Sequence, residues 1–255
     1  MTPKDYNDDF HKVHFQNSIN SANELIPLFL NYFKPKSVLD VGCGLGTWLS
    51  VFEQNQCEVL GIDGDYVEIK DLVIDKNKFV SHDLNTSFDL ERKFDLVISL
   101  EVAEHILPEN AGVFIDSMCC HGDVILFSAA IPGQEGTLHY NEQYNKYWID
   151  LFSQNGYQCI DFLRHKIWKD HKISWWYRQN ILIFIKKTEI ENSKFDLITS
   201  EKVNNLNSYV HPELFEYKCQ KAIQSEKRVN ELEKLVNDPF SLLKYYLRKV
   251  KTKFI

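Results

Sequence analysis

The 255-residue chain lacks the features that would assign it to several common classes of protein. Acidic residues outnumber basic ones, and the net charge of −7 argues against a general affinity for the phosphate backbone of nucleic acids. No apolar run reaches the ~18 residues that a membrane span requires. Residues 1–9 have neither the basic nor the apolar region of a signal peptide. We therefore expect a cytoplasmic protein that has no nucleic acid partner.

The sequence also lacks the motifs in which closely spaced cysteines, histidines and carboxylates bind metals or carry out redox chemistry. None of the six cysteines forms a Cys-x-x-Cys motif, and a chain of this length does not need a disulfide framework. We therefore expect reduced thiols. No carboxylate or cysteine at ligand spacing accompanies His11, His14, His165 or His171. The pattern thus predicts no metal site.

The glycine motif of dinucleotide-binding folds, Gly-x-Gly-x-x-Gly, is absent too. Residues 38–49 instead read VLDVGCGLGTWL, in which Asp40 ends an apolar strand and Gly42, Gly44 and Gly46 alternate with other residues. Glycine permits positive φ and lets a ligand approach the main chain closely. An acid directly before the glycines repels a pyrophosphate but suits a cationic ligand. The spacing therefore disfavours a dehydrogenase and predicts a crevice for a different nucleotide.

Short apolar strands alternate with helical patterns along most of the chain, which indicates an α/β fold with a parallel sheet. Strands are predicted at residues 37–41, 58–62, 79–81, 94–99, 124–127, 157–163 and 181–187. Helices are predicted at residues 18–33, 47–54, 66–71, 110–118 and 142–154. Pro27 predicts a helix start or a kink near Asn23. The last two strands have no helix predicted between them, so we expect a terminal hairpin.

The strand-end signals resemble those of the class I S-adenosylmethionine (SAM) methyltransferases over roughly residues 20–187. The resemblance implies a three-layer sandwich with a seven-stranded, mostly parallel sheet whose last strand is antiparallel. It implies SAM as cofactor and S-adenosylhomocysteine as product. In this family the acidic end of the first strand, here Asp40, faces the cationic methionine part of SAM.

The resemblance also places the rest of the cofactor. Asp63, about 20 residues beyond the glycines, is expected to accept hydrogen bonds from both ribose hydroxyls. Asp83 is expected to accept from the adenine amino group, with Leu84 packed on the ring. The predicted cofactor-binding residues are Asp40, Gly42, Cys43, Gly44, Gly46, Trp48, Asp63, Gly64, Asp83, Leu84, Leu100 and Glu101.

Residues 127–143, FSAAIPGQEGTLHYNEQ, follow the fifth strand and precede Tyr147 and Trp148. They resemble a Gly-Gln-x-Gly-x-x-His-x-Asn-Glu-Gln segment in a subgroup of class I enzymes linked to bacterial surface-glycan and natural-product pathways. This resemblance implies O-methylation of a small or glycan-linked acceptor. The acceptor atom is then a sugar hydroxyl, or a phosphoryl or phosphoramidate-type oxygen of a nucleotide-linked capsule polysaccharide precursor. N-methylation, and a non-catalytic SAM-binding partner of another enzyme, are the alternatives.

A hydroxyl acceptor must lose a proton, and histidine titrates near neutral pH. His139 and His105 are therefore the candidate bases, and Glu101 is expected to orient the acceptor or the ammonium group of SAM. The competing interpretation of His105 is that it only fixes the loop after the fourth strand. Asn141 equally suits a helix cap, with Glu142 in the first helical turn. The residues predicted to contact the acceptor are His139, Tyr140, Asn141, Gln143, Tyr147 and Trp176.

The last part of the chain differs in composition. We expect a methyltransferase domain over residues 1–187, a polar linker over residues 188–210 and a helix over residues 211–238 that packs on the domain or on a second subunit. The protein is then a monomer or a homodimer. Residues 240–255 hold five basic residues and no acid, which predicts either a solvated tail or contact with an anionic membrane surface. Among Trp168, Trp175, Trp176 and Tyr177, we expect two core residues and at most two that line a sugar-stacking wall.

Overall fold

The computed structural model describes residues 8–191, 209–237 and 240. The chain divides into two compact units after residue 209. The strands are β1 (Ser37–Val41), β2 (Glu58–Asp63), β3 (Phe79–Ser81), β4 (Leu96–Leu100), β5 (Val124–Ser128), β6 (Tyr157–Ile160) and β7 (Leu182–Lys186). The helices are α1 (Asp8–Leu30), α2 (Thr47–Gln54), α3 (Ala111–His121), α4 (Asn145–Gln154), α5 (Leu163–Ile167), α6 (Trp175–Asn180), α7 (Lys187–Glu191) and α8 (Pro212–Asn237).

The strands form one seven-stranded sheet in the order β3-β2-β1-β4-β5-β7-β6. The first five strands are parallel, and β7 is antiparallel to both β5 and β6. The predicted three-layer α/β fold with antiparallel final strand is therefore confirmed. The order reverses between β1 and β4, and the carboxyl ends of these strands border the crevice in which such sheets bind ligands.

Both faces of the sheet are covered, as the nearly continuous apolar strands require. Val38 and Ile98 belong to one buried cluster together with apolar side chains of α1, α2, α5 and α6. Their neighbours in the strands, Leu39 and Val97, belong to a second cluster with side chains of α3 and α4. Successive residues of a strand point to opposite faces, and this alternation fixes which strand-end residues reach the crevice.

The helices predicted at residues 18–33 and 66–71 differ from the observed ones. Helix α1 passes through Pro27 without starting near Asn23; Leu25, Ile26 and Phe29 are fully buried on both sides of the proline, and this packing holds the helix together. Residues 66–71 form only a short 3-10 helix at Ile69–Asp71 with no buried residue. Val67 is the only buried apolar residue of this segment, while Tyr66 and Ile69 are exposed, so a longer helix would gain little from packing.

The region between the last two strands is also more elaborate than predicted. Strand β6 ends at Ile160, not at residue 163, and Leu163 begins α5. The buried Arg164 side chain donates to Asp161 at 2.8 Å, and this i, i+3 pair closes a helical turn. Helices α5 and α6 thus lie between β6 and β7, although the two strands still pair antiparallel as expected.

The second unit contains α8, whose Ile223, Val229 and Leu232 side chains are exposed. Most of the predicted linker (residues 192–208) and most of the basic end (residues 241–255) lie outside the described residues. None of the described helices combines the length and the apolar character that crossing a membrane requires.

Candidate active site

The glycine turn after β1 is open at its centre. Gly42, Gly44 and Gly46 have φ values of 88°, 52° and 82°, a region that costs a side-chain-bearing residue energy. An ideal Cβ on Gly42 would lie 2.4 Å from a Val102 methyl carbon, whereas one on Gly44 would meet no atom within 4 Å. Gly44 therefore borders open space at the carboxyl edge of the sheet, and a ligand has room to approach its main chain.

Asp63 joins this turn to the end of β2. Its Oδ2 accepts the Gly44 N–H at 2.6 Å, and its Oδ1 accepts the Gly64 N–H at 2.7 Å. The Tyr66 hydroxyl also donates to Oδ1. A carboxylate offers about four acceptor sites, so the structure occupies most of them. Of the three donors only the side chain of Tyr66 is exposed, and it is the donor that a ligand hydroxyl can replace.

Asp40 and Asp63 form a buried acidic pair. Burial, and next the nearby charge of Asp63, raise the pKa of Asp40 well above its usual range. Burial also raises the pKa of Asp63, while hydrogen bonds from Tyr66, Gly44 and Gly64 oppose the shift. No basic side chain of the described residues lowers either pKa. A cation placed between the carboxylates therefore stabilises their ionised forms.

The other predicted cofactor residues fall into two groups. Cys43, Trp48, Leu84 and Leu100 are buried in the apolar clusters, and the Trp48 ring packs edge-on against Tyr177 at 5.1 Å. Asp83 is exposed and accepts the Asn85 N–H at 3.0 Å. Its carboxylate therefore closes a local turn, and its predicted contact with adenine stays a prediction.

Glu101 lies directly after β4 with φ 57°, a strained conformation for this residue type that is typical of functional sites. Its Oε2 accepts from Gln134 Nε2 at 2.8 Å, and its Oε1 accepts from Asn180 Nδ2 at 3.0 Å. Burial raises the pKa of Glu101, and hydrogen bonds from Asn180, Ser128 and Gln134 oppose this shift. Glu101 is thus held in one orientation at the crevice.

The loop over residues 132–144 is organised by Glu142. Its carboxylate accepts the N–H groups of Gly133 and Glu135, both at 2.7 Å, and lies 2.9 Å from His139 Nδ1. The interpretation of Asn141 as a helix cap with Glu142 in the first turn is wrong. Helix α4 begins only at Asn145, because the Glu142 side chain is committed to the loop that precedes it.

His105 and His139 meet although 34 positions separate them in the sequence. Their rings pack edge-to-face with centroids 4.9 Å apart, and His105 Nδ1 lies 3.2 Å from the Leu138 carbonyl oxygen. Burial, and next the neighbouring His139, lower the pKa of His105 to about 4. His105 is therefore neutral at pH 7. Gly136 leaves room for the His139 ring, since an ideal Cβ there would lie 2.1 Å from Nε2.

Glu104 joins this pair, although no sequence pattern selects it. It is buried in the 3-10 helix Ala103–His105, and its carbonyl oxygen accepts the N–H groups of Tyr140 and Asn141. Burial, and next the charge of Glu101, raise the pKa of Glu104 well above its usual range. The histidine spacing predicts no metal site, but the fold gathers Glu104, His105 and His139 at one point.

The predicted acceptor residues are only partly brought together. Asn141 is buried and its Oδ1 accepts from Gln143 Nε2 at 3.0 Å, while Tyr140 beside it is exposed. Tyr147 packs on the cluster of α3 and α4, whereas Trp176 packs on the cluster on the other face of the sheet. Tyr147 and Trp176 therefore pack on opposite faces of the sheet, and their contacts with the acceptor stay predictions.

Gln134, Asn180 and Glu142 are the polar residues that pattern reasoning left out of the site. Gln134 lies in the Gly-Gln-x-Gly segment, and Asn180 follows the aromatic run before β7. An amide immediately before a buried strand is the signal that could have pointed to Asn180. Its contact with Glu101 spans 79 positions and follows only from the antiparallel return of β7 beside β5.

Comparison with known proteins finds similar domains. Residues 15–121 match a family model described as a methyltransferase domain. No curated protein sequence matches the chain.

Solved structures of methyltransferases share the fold at low sequence identity. DesVI from Streptomyces venezuelae is 15% identical, with 70% of this chain and 96% of that chain covered and a TM-score of 0.51. Magnesium protoporphyrin IX methyltransferase from Synechocystis PCC 6803, with bound SAH, is 19% identical, with coverages of 71% and 89% and a TM-score of 0.50. A putative O-methyltransferase from Nostoc punctiforme PCC 73102 is 14% identical, with coverages of 66% and 56% and a TM-score of 0.50.

Residues 15–121 are therefore similar to a methyltransferase domain, and the whole sheet has the fold that these methyltransferase structures share. Residues 15–121 hold the glycine turn, Asp63 and the segment after β4. The strands that follow complete the sheet of this fold.

Proposed function

We propose that the protein transfers a methyl group from SAM to an oxygen atom of a small or glycan-linked acceptor. The choice of SAM as cofactor rests on one observation, which is that the buried pair Asp40 and Asp63 lies beside the open turn at Gly44. Two carboxylates without a basic partner among the described residues suit a ligand with cationic groups. SAM is such a ligand, and one of the similar structures was solved with SAH bound.

Asp63 and Asp40 contact different parts of the cofactor in this proposal. Asp63 accepts from the ribose hydroxyls after the Tyr66 hydroxyl moves away, and it keeps its bonds to Gly44 and Gly64. Asp40 faces the methionine part. When bound, SAM supplies an electrophilic methyl carbon, and the protein's task is to place the acceptor atom about 3–3.5 Å from it.

The acceptor binds beside the loop that Glu142 organises. Glu101, fixed by Gln134 and Asn180, orients it, and a hydroxyl acceptor loses its proton at the cluster around His139. The Glu142 carboxylate holds Nδ1 of His139, an arrangement that fixes an imidazole for proton transfer or ligand binding. This ordered histidine favours a hydroxyl acceptor over an amine.

The acceptor class follows from the chemistry of the loop together with its subgroup resemblance. Asn141, Gln143 and Tyr140 provide amide and hydroxyl groups that suit a polyol or a phosphoryl oxygen better than an apolar molecule. We propose a sugar hydroxyl, or a phosphoryl or phosphoramidate-type oxygen, on a nucleotide-linked precursor of a surface polysaccharide. A similar structure named as a putative O-methyltransferase agrees with transfer to oxygen.

A labelled-methyl assay tests this function. Full-length protein is incubated with methyl-labelled SAM and a panel of nucleotide sugars, sugar phosphates, phosphoramidates and amines. We expect label in an oxygen-linked product, and little label with His139→Ala. Label only in amines would establish N-methylation instead. SAM binding without transfer to any acceptor would favour a non-catalytic partner protein.

A further inference from the structure

We propose that Glu104, His105 and His139 form a binding site for one divalent transition-metal ion. One ring nitrogen of each histidine and one carboxylate oxygen of Glu104 lie within 4.8 Å of one another. The Tyr140 N–H donates to the Glu104 carbonyl oxygen at 2.9 Å, so backbone contacts already hold the loop against the segment after β4. These backbone contacts hold the three side chains of the candidate site at one point.

The surroundings of the Glu104 carboxylate are the main evidence for a bound cation. Its side chain is only 1% exposed, and its Oε2 atom has no hydrogen-bond partner among the described residues. A buried polar atom left without a partner is costly and uncommon in native proteins. No lysine or arginine of the described part of the chain offsets the Glu104 charge. A cation beside the two imidazoles supplies the partner that this oxygen lacks.

Both imidazoles are oriented as metal ligands usually are. His139 Nδ1 lies 2.9 Å from Glu142 Oε1, and His105 Nδ1 lies 3.2 Å from the Leu138 carbonyl oxygen. Metal-binding histidines commonly donate one ring N–H to a carboxylate or carbonyl oxygen, which fixes the tautomer and leaves the second nitrogen for the ion. Because both Nδ1 atoms face oxygen acceptors, we assign Nε2 of each ring as the ligand.

The donor set selects the kind of ion. Two imidazoles with one carboxylate favour a first-row transition metal over Mg²⁺ or Ca²⁺, which prefer oxygen ligands. Two ligand atoms that are each about 2.1 Å from Zn²⁺ are at most about 4.2 Å apart, and the candidate ligand atoms all lie within 4.8 Å of one another. The expected order of affinity is Zn²⁺ above Co²⁺ above Mn²⁺, with Mg²⁺ weakest.

Three protein ligands leave at least one position on the ion for water or another oxygen ligand. If the acceptor oxygen takes that position, His139 acts as a ligand and not as the base itself, because a metal ion lowers the pKa of an oxygen bound to it. This role rests on the proposed function. Metal binding itself does not, and it is measured without SAM or acceptor.

Calorimetric titration of metal-free, full-length protein with Zn²⁺ tests the site, with Co²⁺ absorption spectra to report the ligands. The protein is prepared without a histidine tag, because a tag would itself bind the ion. We expect one ion per chain, and at least tenfold weaker binding in Glu104→Gln, His105→Asn and His139→Asn. The matched control is His165→Ala, which removes an exposed histidine and leaves binding unchanged. Thermal unfolding of each metal-free variant checks that it folds.

Two further measurements make the outcome decisive. Glu142→Gln keeps all three ligands but weakens the support of His139, so it lowers Zn²⁺ affinity by about 10–100-fold. Asp63→Asn weakens SAM binding but not Zn²⁺ binding, which separates failure of the metal site from failure of the SAM site. Absence of Zn²⁺ and Co²⁺ binding overturns the proposal. So does binding that survives in Glu104→Gln and His105→Asn, or a Co²⁺ spectrum with cysteine-thiolate bands, each of which indicates an adventitious ion only.

Discussion

The backbone N–H of Gly44 donates a 2.6 Å hydrogen bond to Oδ2 of Asp63, and this bond ties the glycine turn after β1 to the end of β2. The other carboxylate oxygen of Asp63 accepts from Gly64 and Tyr66. One buried side chain therefore shapes the crevice and, in our proposal, also binds the cofactor ribose. Variants of Asp63 and of its neighbours separate these two roles.

Replacing Asp63 with asparagine should weaken SAM binding by about 10–100-fold, since a charge-assisted hydrogen bond contributes about 1.5–3 kcal/mol. Asparagine keeps one acceptor oxygen and cannot accept at the position of the second. Titration calorimetry measures the change. The matched control is Asp65→Asn, which alters an exposed acid two residues away and should leave affinity unchanged. Equal SAM affinity in both variants would refute the ribose role of Asp63.

Removing the Tyr66 hydroxyl should have the opposite effect. This hydroxyl donates to the Asp63 oxygen that a ribose hydroxyl needs, so SAM must displace it. Tyr66→Phe keeps the ring and removes the competing donor, and we expect SAM to bind a few-fold more tightly. Calorimetry on wild type and variant provides the comparison. A weaker affinity in Tyr66→Phe would mean that the hydroxyl contacts SAM instead of competing with it.

Asp40 should lower the stability of the protein without SAM. Its pKa is raised by burial and then by Asp63, so the folded state binds a proton more tightly than the unfolded chain, in which an aspartate has a pKa of about 3.9. The destabilisation is absent below that pH and grows as pH rises toward the folded-state pKa. Asp40→Asn should therefore raise the free energy of unfolding at pH 7 and flatten its dependence on pH.

The same Asp40→Asn variant should bind SAM less tightly, because the charge that faces the methionine part is lost. Urea denaturation at several pH values and SAM titration measure the two effects. Lower stability at pH 7, or unchanged SAM affinity, would contradict the role given to Asp40.

His139→Ala should lower kcat by about 100-fold or more while SAM affinity stays the same, because the ring acts on the acceptor and not on the cofactor. Labelled-methyl transfer and SAM titration on the same preparation separate the two quantities. The control His165→Ala removes a histidine that lies outside the loop. Wild-type turnover in His139→Ala would remove this residue from the acceptor site.

The positions of Asp40 and Asp63 could be predicted because both residues lie at strand ends. Asp40 and Asp63 end apolar runs, and parallel strands bring their carboxyl ends to one edge whatever the loops do. Predictions made from the local sequence were wrong where long-range packing determines the structure. Pro27 did not interrupt α1, because burial on both sides of it outweighs the local cost, and α4 began at Asn145 because Glu142 binds backbone N–H groups of its own loop.

The contacts among the residues proposed for the acceptor could not be predicted, since they join distant segments. Asn180 reaches Glu101 only because β7 returns beside β5. Glu104 meets His139 only because the loop after β5 folds back on the segment after β4. A periodic pattern records which face of an element is buried, but it does not record which loop residues meet.

Direct titration of the full-length protein with SAM, and separately with NADH, tests the central claim. The account predicts one SAM bound per chain, weaker binding in Asp63→Asn and no measurable binding of NADH. Tight NADH binding together with absent SAM binding would contradict it, because the crevice at Gly44 would then hold a pyrophosphate that the acidic pair should repel.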